Sequence, residues 1–163
     1  MRCPENRTLD ICVAATLGRN YAALMLMLKT KNMELIPCIQ TLAHLNALNR
    51  WPEYKEHFDV DDILLAQDER VYLLIDHMFA TLADSFTSRV VHIGMDEAHL
   101  LGRGRYADLH GVEERFGIMA RHLRRVCDIG EKYGFRFFDV VRYVFSAGHL
   151  AKTTTSRKRS VTK

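Results

Sequence analysis

Short apolar segments alternate with longer segments of helical periodicity along most of this chain. Residues 33–40, 89–95 and 135–145 are rich in apolar and β-branched side chains, which indicates buried strands. Residues from about 62 to 86 and from about 112 to 133 repeat apolar side chains every three or four positions, which predicts two intervening helices. Asp61 or Asp62 can cap the first helix, and Gly134 is expected to end the second. The glycines at 102, 104 and 111 indicate a loop before the second helix. The β-α-β-α-β order favours an α/β fold, in which parallel strands are joined by right-handed crossovers.

Composition and charge narrow the classes of function. The chain has 163 residues, enough for one domain with a modest core, and a net charge of only +3. Five basic residues and no acidic ones fall in the last thirteen positions, so the rest of the chain lacks the basic surface of a nucleic-acid-binding protein. No apolar run reaches the roughly 18 residues that a membrane span requires. We therefore expect neither nucleic acid nor a membrane as a partner.

The four cysteines bear on the cellular compartment. Cys3, Cys12, Cys38 and Cys127 show no C-x-x-C spacing and no pairing with nearby histidines. Cys38 and Cys127 lie within apolar runs, where a reduced cysteine packs as a small hydrophobic residue. Residues 1–10 have no signal-peptide architecture. These features favour a reducing compartment, and we expect a cytoplasmic location.

An acidic pair, Asp96-Glu97, follows the second apolar segment. In parallel α/β folds the carboxyl ends of the strands converge on one face, where active sites are built. A purely structural interpretation is also open, because such a pair can be a helix cap followed by a solvated loop acid. The position alone does not decide between the two.

Two chemical interpretations of this region are disfavoured by what surrounds it. The string M-D-E-A-H at 95–99 matches a helicase-type Walker B box, but no G-x-x-x-x-G-K-[ST] loop precedes it to cradle phosphates. His92, Asp96, Glu97 and His99 could also be metal ligands, but no His-Glu-x-x-His helix accompanies them. For His92, a satisfied core position is the simpler structural alternative.

A family resemblance makes a third interpretation specific. Residues 92–106, H-I-G-M-D-E-A-H-L-L-G-R-G-R-Y, are similar to the catalytic strand of glycoside hydrolase family 20, whose core is H-I-G-x-D-E. Residues 34–45, E-L-I-P-C-I-Q-T-L-A-H-L, resemble the preceding barrel strand of bacterial β-N-acetylhexosaminidases in that family. The resemblance extends over roughly residues 33–135.

The resemblance implies a fold, a chemistry and a set of site residues. The fold would be an incomplete segment of a TIM (β/α)8 barrel, with about three βα units. The substrate would be a glycan ending in N-acetylhexosamine, hydrolysed with retention by attack of its own acetamide oxygen, without a cofactor or metal. Asp96 would orient the acetamide, and Glu97 would be the general acid and base. His44 and His92 are the expected substrate-binding residues. A binding or assembly module without catalysis remains the alternative.

The ends of the chain depart from the family pattern. After Gly134 the family has a strand resembling M-W-S-D-M-F-F-R-L, whereas this chain continues D-V-V-R-Y-V-F-S-A-G at 139–148. One choice of codons for those ten residues yields the family string when it is read one nucleotide later. Residues 5–21, read two nucleotides later, similarly give E-S-Y-F-G-Y-L-R-G-R-Y-T-R-E-E-L. We therefore divide the chain into a poorly matching segment 1–30, a partial catalytic barrel 31–138 and an aberrant basic tail 139–163. The hypothesis is that both ends contain out-of-frame translation, which the DNA sequence of the locus would test.

Overall fold

The computed structural model describes residues 19–137, so the predictions for residues 1–18 and 138–163 lie outside the described residues. The helices of the described region are α1 (Arg19–Thr30), α2 (Asn46–Asn49), a 3-10 helix (Pro52–His57), α3 (Glu69–Ser85), α4 (Arg105–His110) and α5 (Arg115–Lys132). The strands are β1 (Phe58–Val60), β2 (Ile63–Leu64), β3 (Val90–Val91) and β4 (Arg136–Phe137).

Parallel strand segments form the centre of the fold. Strand β3 pairs in parallel with β4, and Cys38 forms a parallel bridge with His92, immediately after β3. The order across the sheet thus follows the order along the chain. The predicted parallel arrangement with helical crossovers is confirmed for this part of the molecule.

Helices α3 and α5 cover one face of these strands. Their buried side chains join Val91 and Ile93 in a single hydrophobic cluster. The ring of Phe79 in α3 lies 5.6 Å from that of Phe135 and 6.2 Å from that of Phe137, measured between centroids. Each fully buried aliphatic or aromatic side chain of such a cluster contributes roughly 1.5–3 kcal/mol to stability. Packing of the two helices against this face therefore stabilises the sheet.

The ends of both long helices follow local chemistry. The Asp68 carboxylate accepts a hydrogen bond from the N–H of Arg70 at the start of α3. The Glu114 carboxylate accepts from the N–H groups of Phe116 and Gly117 at the start of α5, at 2.9 and 2.8 Å. Gly134 follows α5 with φ of 76°, which confirms its expected role in ending that helix.

Three details of the predicted elements are wrong. The helix expected to begin after Asp61 or Asp62 begins at Glu69, because residues 58–64 form an antiparallel hairpin, β1–β2, with Asp61 in a left-handed turn conformation. The stretch between Gly102 and Gly111, expected to be a loop, contains helix α4. The strand expected at 33–40 is reduced to the Cys38 bridge, since Pro37 has no N–H to donate to a ladder.

No helix within residues 19–137 combines the length and the apolar character needed to cross a lipid bilayer.

Candidate functional site

Hydrogen bonds bring the two expected site segments side by side. The N–H of Ile39 donates to the carbonyl of His92 (2.9 Å), and the N–H of His92 donates to the carbonyl of Pro37 (2.9 Å). Farther along, the N–H and the hydroxyl of Thr41 both donate to the carbonyl of Ile93, at 3.1 and 2.8 Å. The residues that follow Thr41 and Ile93 therefore leave the sheet at the same end.

At this end a histidine meets both expected catalytic carboxylates. Nε2 of His44 lies 3.3 Å from Oδ2 of Asp96 and 3.6 Å from Oε2 of Glu97. The three side chains are 39%, 57% and 68% exposed, respectively. We call His44, Asp96 and Glu97 the carboxylate–histidine cluster. Because all three side chains reach solvent, a ligand can approach them directly.

The backbone of this cluster is strained. Six non-glycine residues in the described region have a left-handed φ, and three of them are at the site: His44 (61°), Met95 (78°) and Glu97 (57°). Such conformations cost on the order of 1–3 kcal/mol each and occur preferentially at functional sites. The strain aims the His44 and Glu97 side chains in directions that a regular strand end would not give them.

Gly94 makes the approach of the two segments possible. A Cβ added at this residue would lie 1.9 Å from Oε1 of Gln40, and the φ of Gly94 is 69°. Any other residue would thus displace Gln40 and force an unfavourable backbone conformation. Steric exclusion of a Cβ therefore explains why glycine occupies this position of the H-I-G-M-D-E string.

His92 is placed apart from the cluster, on the face of the sheet opposite Val91 and Ile93. Its Nδ1 accepts a hydrogen bond from the N–H of Gly94 (3.2 Å) and lies 3.3 Å from Sγ of Cys38. Cys38 is exposed, so the expectation that it packs as a small hydrophobic residue is wrong. Partial burial of its thiol and, to a lesser extent, the charge of Asp96 raise the pKa of that thiol. Cys38 therefore keeps its proton and is not poised as a nucleophile.

A buried aspartate that the sequence reasoning missed anchors the loop after Glu97. Asp59 is only 8% exposed, and its carboxylate accepts hydrogen bonds from three backbone N–H groups, those of Gly102 (2.6 Å), Gly104 (3.2 Å) and Tyr106 (2.8 Å). It thereby fixes the start of α4 and the turn before it. Its only signal in the sequence is an acid between two apolar residues, Phe58 and Val60, in a stretch without other strand signals.

The side chain of Tyr106 extends this anchor. Its hydroxyl donates to Oε1 of Glu113 (2.8 Å) and accepts from the guanidinium of Arg121 (3.1 Å) and from the amide of Gln67. Burial, followed by the hydrogen bond to Glu113, raises the pKa of Tyr106. The loop that begins at Glu97 is therefore tied at its far end to Arg121 of α5 and to Gln67, which precedes α3.

The cluster has the groups needed for proton transfer. A carboxyl group donates or accepts a proton, and an adjacent histidine orients it by hydrogen bonding. Within residues 19–137, no group of three or more His, Cys, Asp or Glu side chains converges as a metal site requires. The backbone carbonyl of His99, a residue of the alternative metal set, accepts a hydrogen bond from the guanidinium of Arg115.

Comparison with solved structures identifies a related architecture. The chain is similar to the crystal structure of a β-N-acetylhexosaminidase, with a TM-score of 0.59 and 20% sequence identity over 71% of this chain. The fold resembles part of a hexosaminidase. The match covers 28% of that enzyme's chain, so the present chain corresponds to about a quarter of it. At this level of identity the likeness concerns the fold alone.

Comparisons of the sequence give no match. No protein-family model matches the chain, and no curated protein matches it.

Proposed function

We propose that residues 31–138 are part of the catalytic barrel of a glycoside hydrolase that removes terminal N-acetylhexosamine from glycans. The observation that carries the proposal is the carboxylate–histidine cluster, with His44 Nε2 at 3.3 and 3.6 Å from the two carboxylates. It lies at the carboxyl end of parallel strands, where barrel enzymes bind substrate. The likeness to a hexosaminidase fold supports the same assignment.

In this proposal the two carboxylates have different roles. Glu97 protonates the departing glycosidic oxygen while the acetamide oxygen of the substrate attacks the anomeric carbon and displaces it. Asp96 accepts a hydrogen bond from the acetamide N–H and balances the positive charge of the resulting oxazolinium. Glu97 then removes a proton from the water that reopens this ring, which releases the sugar with retained configuration. The exposure of both carboxylates is consistent with access by a sugar.

The histidines assist binding. His44 lies close enough to both carboxylates to hydrogen-bond to either, and so to hold them while a sugar hydroxyl is bound. Nδ1 of His92 accepts a hydrogen bond from the N–H of Gly94 and lies beside the Cys38 thiol. Nε2 is therefore the ring nitrogen that can hydrogen-bond to a substrate. We assign His92 a weaker, peripheral contact with substrate, because it does not touch the cluster.

The test uses an intact protein that contains the whole barrel. Under the frameshift hypothesis, it is obtained by restoring the reading frames of residues 5–21 and 139–148. Glu97→Gln should lower kcat roughly 10²–10⁴-fold on disaccharides, whose leaving groups need protonation. The loss should be much smaller on aryl N-acetylglucosaminides with activated leaving groups. Asp96→Asn should slow both substrate classes, because the attack of the acetamide oxygen displaces either leaving group.

The matched control is Asp108→Asn, which removes an exposed carboxylate from α4 and should leave kcat unchanged. Equal losses on both substrate classes in Glu97→Gln would contradict the general-acid role. If the intact protein binds N-acetylglucosamine without hydrolysing any glycoside, the alternative of a binding or assembly module without catalysis is correct.

A further inference from the structure

A third histidine lies behind the site, inside the hydrophobic core. His122 in α5 is fully buried. Its Nε2 lies 2.8 Å from the carbonyl oxygen of Thr41, and its Nδ1 lies 3.3 Å from the hydroxyl of Tyr72. A carbonyl oxygen only accepts hydrogen bonds, so Nε2 carries the proton and donates it to Thr41.

Nδ1, on the other side of this imidazole, also has a hydrogen-bond partner. Burial lowers the pKa of His122 to about 4, so the ring is neutral near pH 7 and Nδ1 is an acceptor. The Tyr72 hydroxyl can then donate to Nδ1 while it accepts from the N–H of Gln67 at 3.1 Å. A directed chain of hydrogen bonds therefore runs from Gln67 through Tyr72 and His122 to the backbone of Thr41.

Thr41 is the point at which this chain reaches the site. Its carbonyl is held by His122, and its N–H and hydroxyl are both held by the carbonyl of Ile93. Thr41 lies three residues before His44, and Ile93 lies three residues before Asp96. One buried residue thus connects α5 to both segments that carry the carboxylate–histidine cluster.

We propose that His122 is a positioning residue that sets the distance between His44 and the two carboxylates by holding Thr41 against Ile93. An apolar side chain of similar size could fill the same space, but it would leave the buried Thr41 carbonyl without a donor. The inference rests on the proposed function only for the roles of His44, Asp96 and Glu97. The hydrogen bonds and their effect on geometry are tested without activity.

Amide hydrogen exchange of the 163-residue chain tests the link. In His122→Leu the Thr41 amide should exchange at least about tenfold faster than in the wild type, because the buried carbonyl loses its donor and the contact with Ile93 loosens. Core amides of α3 and α5 far from Thr41 should change by much less. His122→Gln, whose amide can donate to Thr41, should restore most of the protection.

Tyr72→Phe is the matched control, because it deletes one oxygen on the opposite side of the imidazole and leaves the Thr41 contact in place. It should change Thr41 exchange by no more than about threefold. Equal acceleration across the core in His122→Leu, without rescue by His122→Gln, would mean that His122 only packs, and the proposal would be wrong. No acceleration at Thr41 would be equally decisive against it.

A spectroscopic measurement tests whether the His122–Thr41 hydrogen bond affects the contact between His44 and Asp96. In an otherwise wild-type chain, Asp96→Asn should shift the NMR signal of the His44 Nε2 nitrogen, because the carboxylate lies 3.3 Å away. In the His122→Leu background the same substitution should give a clearly smaller shift, and in His122→Gln a shift close to the wild-type one. Identical shifts in all three backgrounds would overturn the positioning role, whatever the protein hydrolyses.

If His122→Leu does not fold, the wild-type chain alone still decides. Isotope-labelled protein should show a slowly exchanging proton on His122 Nε2 with a scalar coupling to the Thr41 carbonyl carbon. A protonated Nδ1 with an unprotonated Nε2 at pH 7 would contradict the proposal.

Discussion

The buried polar groups behind the candidate site and the charged groups within it are organised in opposite ways. Asp59 and His122 have every major hydrogen-bonding atom satisfied by partners from distant parts of the chain. The carboxylate–histidine cluster is mostly exposed, and its backbone is strained. The first region holds loops and strands in place, whereas the second presents reactive groups to solvent. Among the described residues, buried hydrogen bonds thus hold the backbone beneath the site, and little structure encloses its solvent-facing side.

The largest expected consequence concerns activity. The 163-residue chain should not hydrolyse aryl N-acetylglucosaminides above the rate in buffer, because residues 19–137 leave the cluster open to solvent and do not hold an acetamide in attack geometry. Correct orientation of reacting groups contributes roughly 7–11 kcal/mol to catalysis, which exposed carboxylates alone do not replace. A chromogenic assay of the purified chain, with Glu97→Gln as the matched blank, measures this. Turnover that disappears in Glu97→Gln would show that the exposed cluster suffices.

Removing the anchor behind the site should cost the most stability. Asp59→Asn keeps the shape of the side chain but replaces a charged acceptor of three N–H groups by an amide, whose own N–H groups face one or more of those donors. We expect the free energy of unfolding to fall by about 3 kcal/mol, since hydrogen bonds to charged groups contribute about 1.5–3 kcal/mol each. Urea denaturation measures the change, with the exposed Asp108→Asn as control. A loss no larger than that of the control would mean that the loop after Glu97 is held by other contacts.

The two regions also differ in how far the sequence predicted them. The parallel strand order and α5 follow from apolar periodicity, and the position of Asp96 follows from the rule that parallel strands end on one face. His44 was expected at the site only because the family resemblance implied it. The hairpin was missed because its strands of three and two residues are too short to show an alternating pattern. Asp59 was missed because its three partners lie more than forty positions away in the sequence.

The backbone conformations and hydrogen-bond partners at the site could not be predicted from the sequence pattern either. His44 and Glu97 adopt left-handed backbone conformations that non-glycine residues seldom take, so local propensity argues against them. His122 occupies an apolar position of α5, at helical spacing from Met119 and Val126, which indicates burial but not its partner. Tertiary hydrogen bonds decide these positions, and they leave only weak traces in the sequence.

Acid should selectively weaken the buried region through His122. Its pKa in the folded chain is about 4, against an ordinary value of 6.5, so the unfolded chain binds the proton more readily between these values. Stability should therefore fall as the pH drops from about 6.5 to about 4, by roughly 3 kcal/mol in total for this group. Other groups also titrate in this range, so the comparison is made with His122→Gln. Chemical denaturation at pH 7 and pH 4 should show a smaller acid loss in the variant, and equal losses would contradict the assignment.

The smallest effect should come from an exposed ion pair on the same helices. Nη2 of Arg125 lies 2.7 Å from Oε2 of Glu69, and these side chains are 49% and 75% exposed. The guanidinium also lies 5.1 Å from the centroid of the Tyr72 ring. Because solvent screens exposed charges, Arg125→Met should lower the free energy of unfolding by no more than about 1 kcal/mol, and by less in high salt.

The neighbouring Arg124→Met is the control for this pair, because Arg124 has no ion pair among the described residues. The ion pair and the contact with the Tyr72 ring together account for the difference between the two variants, measured at low and high salt by urea denaturation. If Arg125→Met lost as much stability as Asp59→Asn, the contrast between buried and exposed charges would fail. The outer surface of α3 and α5 would then support the site as strongly as the buried aspartate does, because Glu69 begins the helix that carries Tyr72 and thus bears on the contact with His122.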